Sequence, residues 1–396
     1  MSKVYVIDSY SYKHLHEMFN ACFALILDRT FDEVQYYAGE EQIGAIKRLS
    51  KQYNYKFGEN FSFHQISVVK KNGKIDFLIR YLLSVLQNIR FLFITPRKAI
   101  LIYSATNPFS LSLIKLFNTL LRKKIIFVCH GELKYLQQTN NKKSTWEKII
   151  ISFYRVGIYT FLSSKNIYYL VLGDIIKANM QQYKIPALQI LVMDHPYFFD
   201  VSLVKREPHI DTDKQFQIGS VGVFTPVKGA LDFLNIAHYF ETDENVMFHV
   251  IGRIQGLNES QVLQSYSNVV FHAKDNTYLN RTKFDESVKQ LDYILMLYEQ
   301  GGYQLVVSGA IFDAISYNIP IIAKENDYFK YLFEKHGKLG YLCKDLNSIQ
   351  EIIKTISSLE QIDNFQDAIN NAKQYHSVDN IALLLAKELK EFRFLN

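Results

Sequence analysis

The sequence predicts an α/β protein built as two doubly wound domains, each a parallel sheet covered by helices on both faces. Three observations lead there. Short apolar runs alternate with amphipathic stretches along nearly the whole chain, the pattern of stacked βαβ units. The chain has 396 residues, too many for one ordinary core, so two domains of roughly 200 residues are expected. The polar stretch FFDVSLVKREPHIDTDKQ has no apolar period and divides the alternation in two, which places a linker near residues 200–214.

The first domain is expected over residues 1–200. KVYVID opens it as a strand, and EVQYYA, FHQISVV, AILIYS, KIIFVCH and YYLVLG follow as further strands. HLHEMFNACFALIL and PFSLSLIKLFNTLLR repeat apolar residues at helical spacing, as does the stretch from Phe77 to Phe93. The second domain is expected over residues 201–375. Its strands are FQIGSVG, VMFHVIG, NVVFHA and YILMLY, and GALDFLNIAHYF, ESQVLQSYS, FDESVKQ and IQEIIKTISSL are its helices. A terminal stretch, NIALLLAKELKEFRFL, reads as an amphipathic helix.

Composition excludes several classes. Hydrophobic residues make up 48% of the chain and charged residues 21%, values of a folded globular protein rather than a disordered one. No apolar run reaches the ~18 residues of a spanning helix. The longest candidate, Ile149 to Leu162, is broken by Arg155. MSKVYVIDSYSY reads as a strand and a polar loop, not as a signal peptide. Cys22, Cys129 and Cys343 are far apart and lack metal-ligand spacing, so buried thiols in a reducing cytoplasm are expected. The net charge of +6 is uneven: residues 1–200 hold 26 Lys+Arg against 14 Asp+Glu, and residues 201–396 hold 19 against 25. A basic half without a nucleic-acid motif points to another anionic partner.

Three strand exits in the second half carry the chemistry. In IGSVGVFTPVKGALDFL, a strand leads through Gly222, Thr225 and Pro226 to Lys228-Gly229 at a helix mouth, where an ammonium can neutralise a phosphate. HVIGRI places Gly252 and Arg253 in a second exit loop. In VSGAIFDAISYNIPIIA, Ser308 is expected to cap a two-turn helix and Gly309 to leave room for a close ligand at its N-terminus. Any one of these patterns also occurs in an ordinary α/β unit. Parallel strands point the same way, so the three loops should share one rim.

On these residues the second half, clearly over about residues 215–345, resembles the donor domain of GT-B glycosyltransferases. The likeness is greatest to the retaining group that elongates bacterial surface polysaccharides. SVGVFTPVKGALDFL is similar to that family's first strand and Lys-Gly helix start, FHVIGRI to its second strand exit, and SGAIFDAISYNIPIIA to its Glu-Ala helix and following strand. VCHGEL resembles the His-Gly step ending a central strand of the acceptor domain. The resemblance implies two Rossmann-like domains facing across a cleft, with residues 376–396 packing back on the first. It implies that Lys228 binds the donor diphosphate together with Ser308 and Gly309, that Asp313 holds the ribose, and that His130 lies near the transferred sugar. The chain departs from the family's pattern in three places. Val223 stands where an Arg is usual, Leu305 where the first of two Glu residues is usual, and the second Glu is shortened to Asp313. Glu299 or Tyr303 can substitute for the missing Glu.

The expected reaction moves a sugar from a nucleotide diphosphate donor to a glycan or lipid-linked acceptor. Lys228 and helix N-termini would stabilise the leaving diphosphate. A retaining path needs no side-chain base, whereas an inverting path needs one, for which His14, His16 and His130 are the candidates. No Asp-x-Asp motif sits in a strand exit, so neither a metal nor another cofactor is implied. Two rivals remain: a nucleotide-sugar epimerase and an inactive sugar-nucleotide-binding subunit. The segment from Asn140 to Lys165 mixes Lys with aromatic residues and suits an anionic membrane surface, which would make the protein peripheral on the cytoplasmic side. An ordinary buried helix would read the same way.

Overall fold

The computed structural model describes residues 2–12, 16–70, 74–105, 107–137, 145–160, 165–199, 215–257, 266–273, 277, 279–358 and 364–395. The expected linker at 200–214, His14, and most of the helix expected at ESQVLQSYS lie outside them. The chain divides into two units. One comprises Met1–Phe199, Leu305–Val307 and Tyr375–Asn396, and the other Asp200–Gln304 and Ser308–Gln374.

The first unit holds seven parallel strands: β1 (Lys3–Asp8), β2 (Glu33–Ala38), β3 (Phe61–Gln65), β4 (Ile100–Tyr103), β5 (Ile125–Val128), β6 (Ile167–Val171) and β7 (Ile190–Val192). They lie in the order β3-β2-β1-β4-β5-β6-β7. Val4 of β1 pairs with Val34 on one side and Ile100 on the other, so the apolar positions of neighbouring strands stay in step. Six helices link the strands: α1 (Glu17–Thr30), α2 (Glu40–Gln52), α3 (Lys74–Ile94), α4 (Pro108–Leu121), α5 (Thr145–Tyr159) and α6 (Asp174–Gln181). Right-handed crossovers put α1 and α2 on one face of the sheet and α3, α4 and α5 on the other. The packing agrees, with α3 against α4 and α4 against α5.

Helix α1 is buried without a break from Phe19 to Leu27. It is covered on its outer side by the terminal helix Val378–Glu391. That helix is pinned by an Arg29–Asp379 ion pair of 2.6 Å and by Glu388, whose Oε1 accepts from Val192 N–H at 3.0 Å.

Helix α3 corrects one expectation. Ile75–Ile94 is, by length and composition, apolar enough to cross a membrane. The sequence hid this because Arg80, Asn88 and Arg90 interrupt the run. Helix α5 is buried along Ile150, Ile151, Tyr154, Gly157 and Ile158 but exposes Trp146, Ile149, Phe153, Val156 and Tyr159.

The second unit repeats the winding with six parallel strands: β8 (Phe216–Val221), β9 (Val246–Ile251), β10 (Val269–Phe271), β11 (Tyr293–Met296), β12 (Ile321–Lys324) and β13 (Gly340–Cys343). Their order is β10-β9-β8-β11-β12-β13. Chain connections leave β8 and β11 in opposite directions, so a crevice opens between the carboxyl ends of these strands. Helix α7 (Ala230–Tyr239) follows β8, and a seven-residue helix, Ala310–Ser316, precedes β12. Asn318 ends that short helix in a left-handed conformation, φ 59°. All three cysteines are buried free thiols.

Candidate functional site

The crevice of the second unit is built from three strand exits. After β8 the chain turns at Gly222, and Pro226–Lys228 forms a single 3-10 turn. Thr225 O closes that turn, accepting from Lys228 N–H (2.9 Å) and Ala230 N–H (3.2 Å). Gly229 then takes φ 77°, and a Cβ there would stand 2.2 Å from Leu297 O. Helix α7 therefore starts at Ala230, one residue later than expected, because only glycine fits between the turn and the β11 exit.

The β9 exit is stitched to the β8 exit. Gly222 N–H donates to Ile251 O (2.9 Å) and Phe224 N–H to Arg253 O (2.8 Å). Gly252 has φ 142°, and a Cβ on it would lie 2.0 Å from Gly222 O. The Arg253 guanidinium reaches sideways, donating to Gln255 Oε1 at 2.8 Å.

The β11 exit supplies a residue that sequence reasoning missed. Tyr298 is buried, and its hydroxyl shares a 2.9 Å hydrogen bond with Ser308 Oγ. Lys228 Nζ lies 5.3 Å from the centre of the Tyr298 ring, a cation–π arrangement. Tyr303 stacks on the same ring at 4.5 Å between centroids. Burial pushes both phenols up to about 12, so both stay protonated near neutral pH. Ser308 consequently does not cap the Ala310–Ser316 helix as expected; Gly309 is its N-cap residue and no side chain caps it. The expected room beside Gly309 exists, since a Cβ there would meet nothing within 4 Å.

Gly222, Lys228, Tyr298, Tyr303 and Ser308 thus come together. A Cβ on Gly222 would lie 3.6 Å from Lys228 Nζ and 3.9 Å from Ala310 Cβ. Asp313, half-buried, is close enough for its charge to act on Tyr298. Glu299 is exposed and joins the group only through its backbone N–H, which donates to Val227 O at 3.3 Å. Tyr303, not Glu299, is the side chain beside the ammonium. Among the described residues no carboxylate forms an ion pair with Lys228. The signal available in the sequence was the pair of tyrosines five apart, Tyr298 and Tyr303, at a strand exit.

At the carboxyl edge of the first sheet, His130 lies two residues beyond the end of β5. Its ring stacks on His16 (4.5 Å) and meets the edge of Phe19 (4.6 Å). Its Nε2 lies 3.1 Å from Ser104 O. A carbonyl only accepts, which assigns the proton to Nε2. Burial drives the His130 pKa well below the ordinary imidazole value, and His16 adds to the drop. Desolvation lowers the His16 pKa as well. His195, packed on Phe19 at 5.4 Å, is lowered to about 3 by burial and by His376. His376 Nδ1 lies 2.9 Å from His195 O. These last two histidines were invisible to spacing because they come from distant parts of the chain.

Asp8, also unforeseen, ends β1 at the point where this sheet reverses its winding. It is wholly buried and accepts from Ser11 N–H (2.9 Å) and Asn20 Nδ2 (3.0 Å). Burial raises its pKa, and the N–H donors oppose that rise. Its carboxyl ties the turn at Tyr10 and Ser11 to α1 through Asn20.

No family model and no curated protein sequence matches the chain. Solved structures do. HepE of Anabaena, solved with UDP, is similar over 99% of this chain and 100% of its own, with a TM-score of 0.62 and 14% identity. The lipopolysaccharide outer core galactosyltransferase WaaB, in its apo form, covers 100% of this chain and 99% of its own, with a TM-score of 0.59 and 15% identity. S. aureus TarM, solved as a mutant with fondaparinux, alpha-GlcNAc-glycerol and UDP, covers both chains fully, with a TM-score of 0.59 and 13% identity. With its two parallel sheets wound alike, the chain has the fold of the GT-B glycosyltransferases.

Proposed function

We propose that the protein transfers a hexosyl group from a nucleotide diphosphate sugar to a glycan or lipid-linked acceptor, in the assembly of a bacterial surface polysaccharide. The observation that carries this reading is the Lys228 ammonium. It is half-buried over a tyrosine face, beside two glycines, and no carboxylate pairs with it among the described residues. A cation so placed is best satisfied by an anion arriving from solution. HepE and TarM, of the same fold, were solved with UDP, which supports a nucleoside diphosphate as that anion.

The charges then set the mechanism. Cleaving the sugar–diphosphate bond leaves negative charge on the diphosphate and an oxocarbenium-like sugar. Lys228, the Tyr303 hydroxyl and the open amides after Gly309 stabilise that charge as it forms. Asp313 is assigned to the ribose hydroxyls. His130 is a weak base, since burial keeps its pKa far below neutrality. Its Nε2 proton is already engaged by Ser104. Weak bases favour a front-face, retaining transfer, with His130 and His16 shaping the acceptor side.

One observation favours an inactive binding subunit instead: Leu305, where the family has a Glu, is fully buried among apolar residues. Turnover separates the readings. The protein is incubated with UDP-, GDP- and CMP-sugars, with and without lipid-linked oligosaccharide. Acceptor-dependent release of nucleoside diphosphate, with the product's anomeric configuration read by NMR as retained, is expected. Binding without release would favour the inactive subunit, and sugar interconversion without acceptor an epimerase.

A further inference from the structure

The strongest unexplained feature of the molecule is the outer surface of α3, α4 and α5. A helix covering a sheet normally turns its apolar stripe inward and its charges to water. Here each of the three keeps a buried apolar stripe but also turns charged or amide side chains inward and large apolar ones to water. In α3, Arg80 donates to Val69 O (2.9 Å), Gln87 to Ser67 O (2.7 Å) and Asn88 to Ser110 Oγ (3.1 Å), all turned towards the protein. The only charged residue of α4, Lys115, is buried, its Nζ donating to Gly157 O (2.9 Å) and Ile158 O (2.7 Å). In α5, Arg155 donates to Tyr135 O (2.8 Å) and to Gln137 O. Outward stand Leu82 and Leu86 of α3, Leu116 and Leu120 of α4, and Phe153 and Val156 of α5. Leu86 is 67% exposed, Leu120 81% and Val156 55%.

The three helices form one continuous face. Phe93 of α3 packs on Phe117 of α4 (5.4 Å), and Phe109 of α4 on Phe153 of α5 (4.7 Å). An exposed apolar surface spread over three adjacent helices marks an interaction site.

Charge identifies the occupant. Residues 66–165, which contain the three helices, hold 17 of the chain's Lys+Arg and 3 of its Asp+Glu, a balance of +14. The remainder of residues 1–200 holds 9 against 11, so the basic character of the first half lies wholly in this segment. Arg80, Lys115, Lys123 and Arg155 turn inward, but Arg90 on α3, Arg97 and Lys98 just after it, Arg122 at the end of α4 and Lys148 on α5 are exposed. Exposed apolar side chains and exposed cations carried by the same helices match an anionic lipid surface, where the former enter the acyl boundary and the latter meet the headgroups. A second copy of the same face would instead bring two surfaces of like charge together.

We infer that the α3–α4–α5 face docks on the surface of an anionic bilayer. Helix α3 is long enough to span, yet Arg80, Gln87 and Asn88 bind it to the rest of the unit, so it lies along the surface rather than across the membrane. The inference stands apart from the transferase reading, because docking needs neither nucleotide nor acceptor.

Trp146, the chain's single tryptophan, sits in the first turn of α5 and reports on the face directly. The full-length protein is mixed with phosphatidylcholine vesicles, with and without phosphatidylglycerol, some carrying brominated acyl chains. The expected result is a blue-shifted, bromine-quenched Trp146 emission on the anionic vesicles, weakening as salt rises. The combined variant Leu82→Ser, Leu116→Ser, Val156→Ser should lose vesicle affinity by about tenfold or more. Its thermal melt should stay at the wild-type value, because all three side chains are exposed. Unquenched emission on anionic vesicles overturns the inference, as does unchanged affinity of the variant. A dimer in light scattering that the variant dissolves, with no vesicle binding by the wild type, would instead assign the face to a second copy.

Discussion

Gly309→Ala separates ligand approach from every other reason for a glycine. The residue has φ −62° and ψ −24°, an ordinary helical backbone, and a Cβ on it meets nothing within 4 Å. Neither conformation nor packing requires glycine there. Alanine should stabilise the unit by roughly 0.5–1 kcal/mol, through lost freedom of the unfolded chain. For a unit of this size that raises the melting temperature by roughly 1–4 °C. The cost should appear only with ligand. The new methyl would stand next to Ala310, on the wall beside Gly222 and Lys228, where the diphosphate is placed. Overpacking of that kind costs about 1–3 kcal/mol. Affinity for UDP should therefore fall by roughly 5- to 150-fold. Calorimetric titration and a thermal melt on one preparation read both quantities. Unchanged UDP affinity would refute the placement of the diphosphate at Gly309. A lowered melting temperature would refute the reading of open space around it.

Two further substitutions test the scaffold. Gly252→Ala would place a Cβ 2.0 Å from Gly222 O at φ 142°, a backbone clash that a side-chain rotation cannot relieve. It should cost about 2–4 kcal/mol and lower the melting temperature by roughly 10 °C; a melt within about 2 °C of wild type would contradict the stitching of the two loops. His249 bears on acid stability. Its Nδ1 lies 2.9 Å from His272 Nε2, and burial, with His272 next, lowers its pKa to about 4. Between pH 4 and 6.5 the unfolded chain holds a proton there that the folded chain does not, so stability rises with pH through this window. About 3 kcal/mol should be lost as pH falls from 6.5 to 4. Urea midpoints across that range should show a shallower slope in His249→Gln; an unchanged slope would remove His249 from the acid response.

The sequence showed the fold more readily than the site. Strands β1 and β2 were legible to the residue, because β-branched and aromatic residues run between clear breaks. The short β7 and β13 were not, since three or four residues carry too little period to stand out. Lys228 and the glycines of the three exits were visible because rigid local geometry leaves a local signature. Tyr298 was not, since its role comes from a ring placed between Lys228 and Ser308 by tertiary structure. Ser308 misled for the same reason, as a hydroxyl suited to capping found a closer partner in Tyr298. The histidine cluster around Phe19 joins residues from positions 16 to 376, which no spacing rule connects. The outward apolar side chains of α3, α4 and α5 were hidden as well. Arg155 read as an interruption of an apolar run, whereas it faces inward and leaves the apolar residues outside.

The most direct test of the donor site is the affinity for UDP of wild type and Lys228→Ala, measured by calorimetry at one fixed salt concentration. The variant should lose about 1.5–3 kcal/mol of binding free energy, the scale of a charged hydrogen bond. Its melting temperature should hold, because Lys228 makes no ion pair among the described residues. Equal affinity in the two proteins would contradict the account.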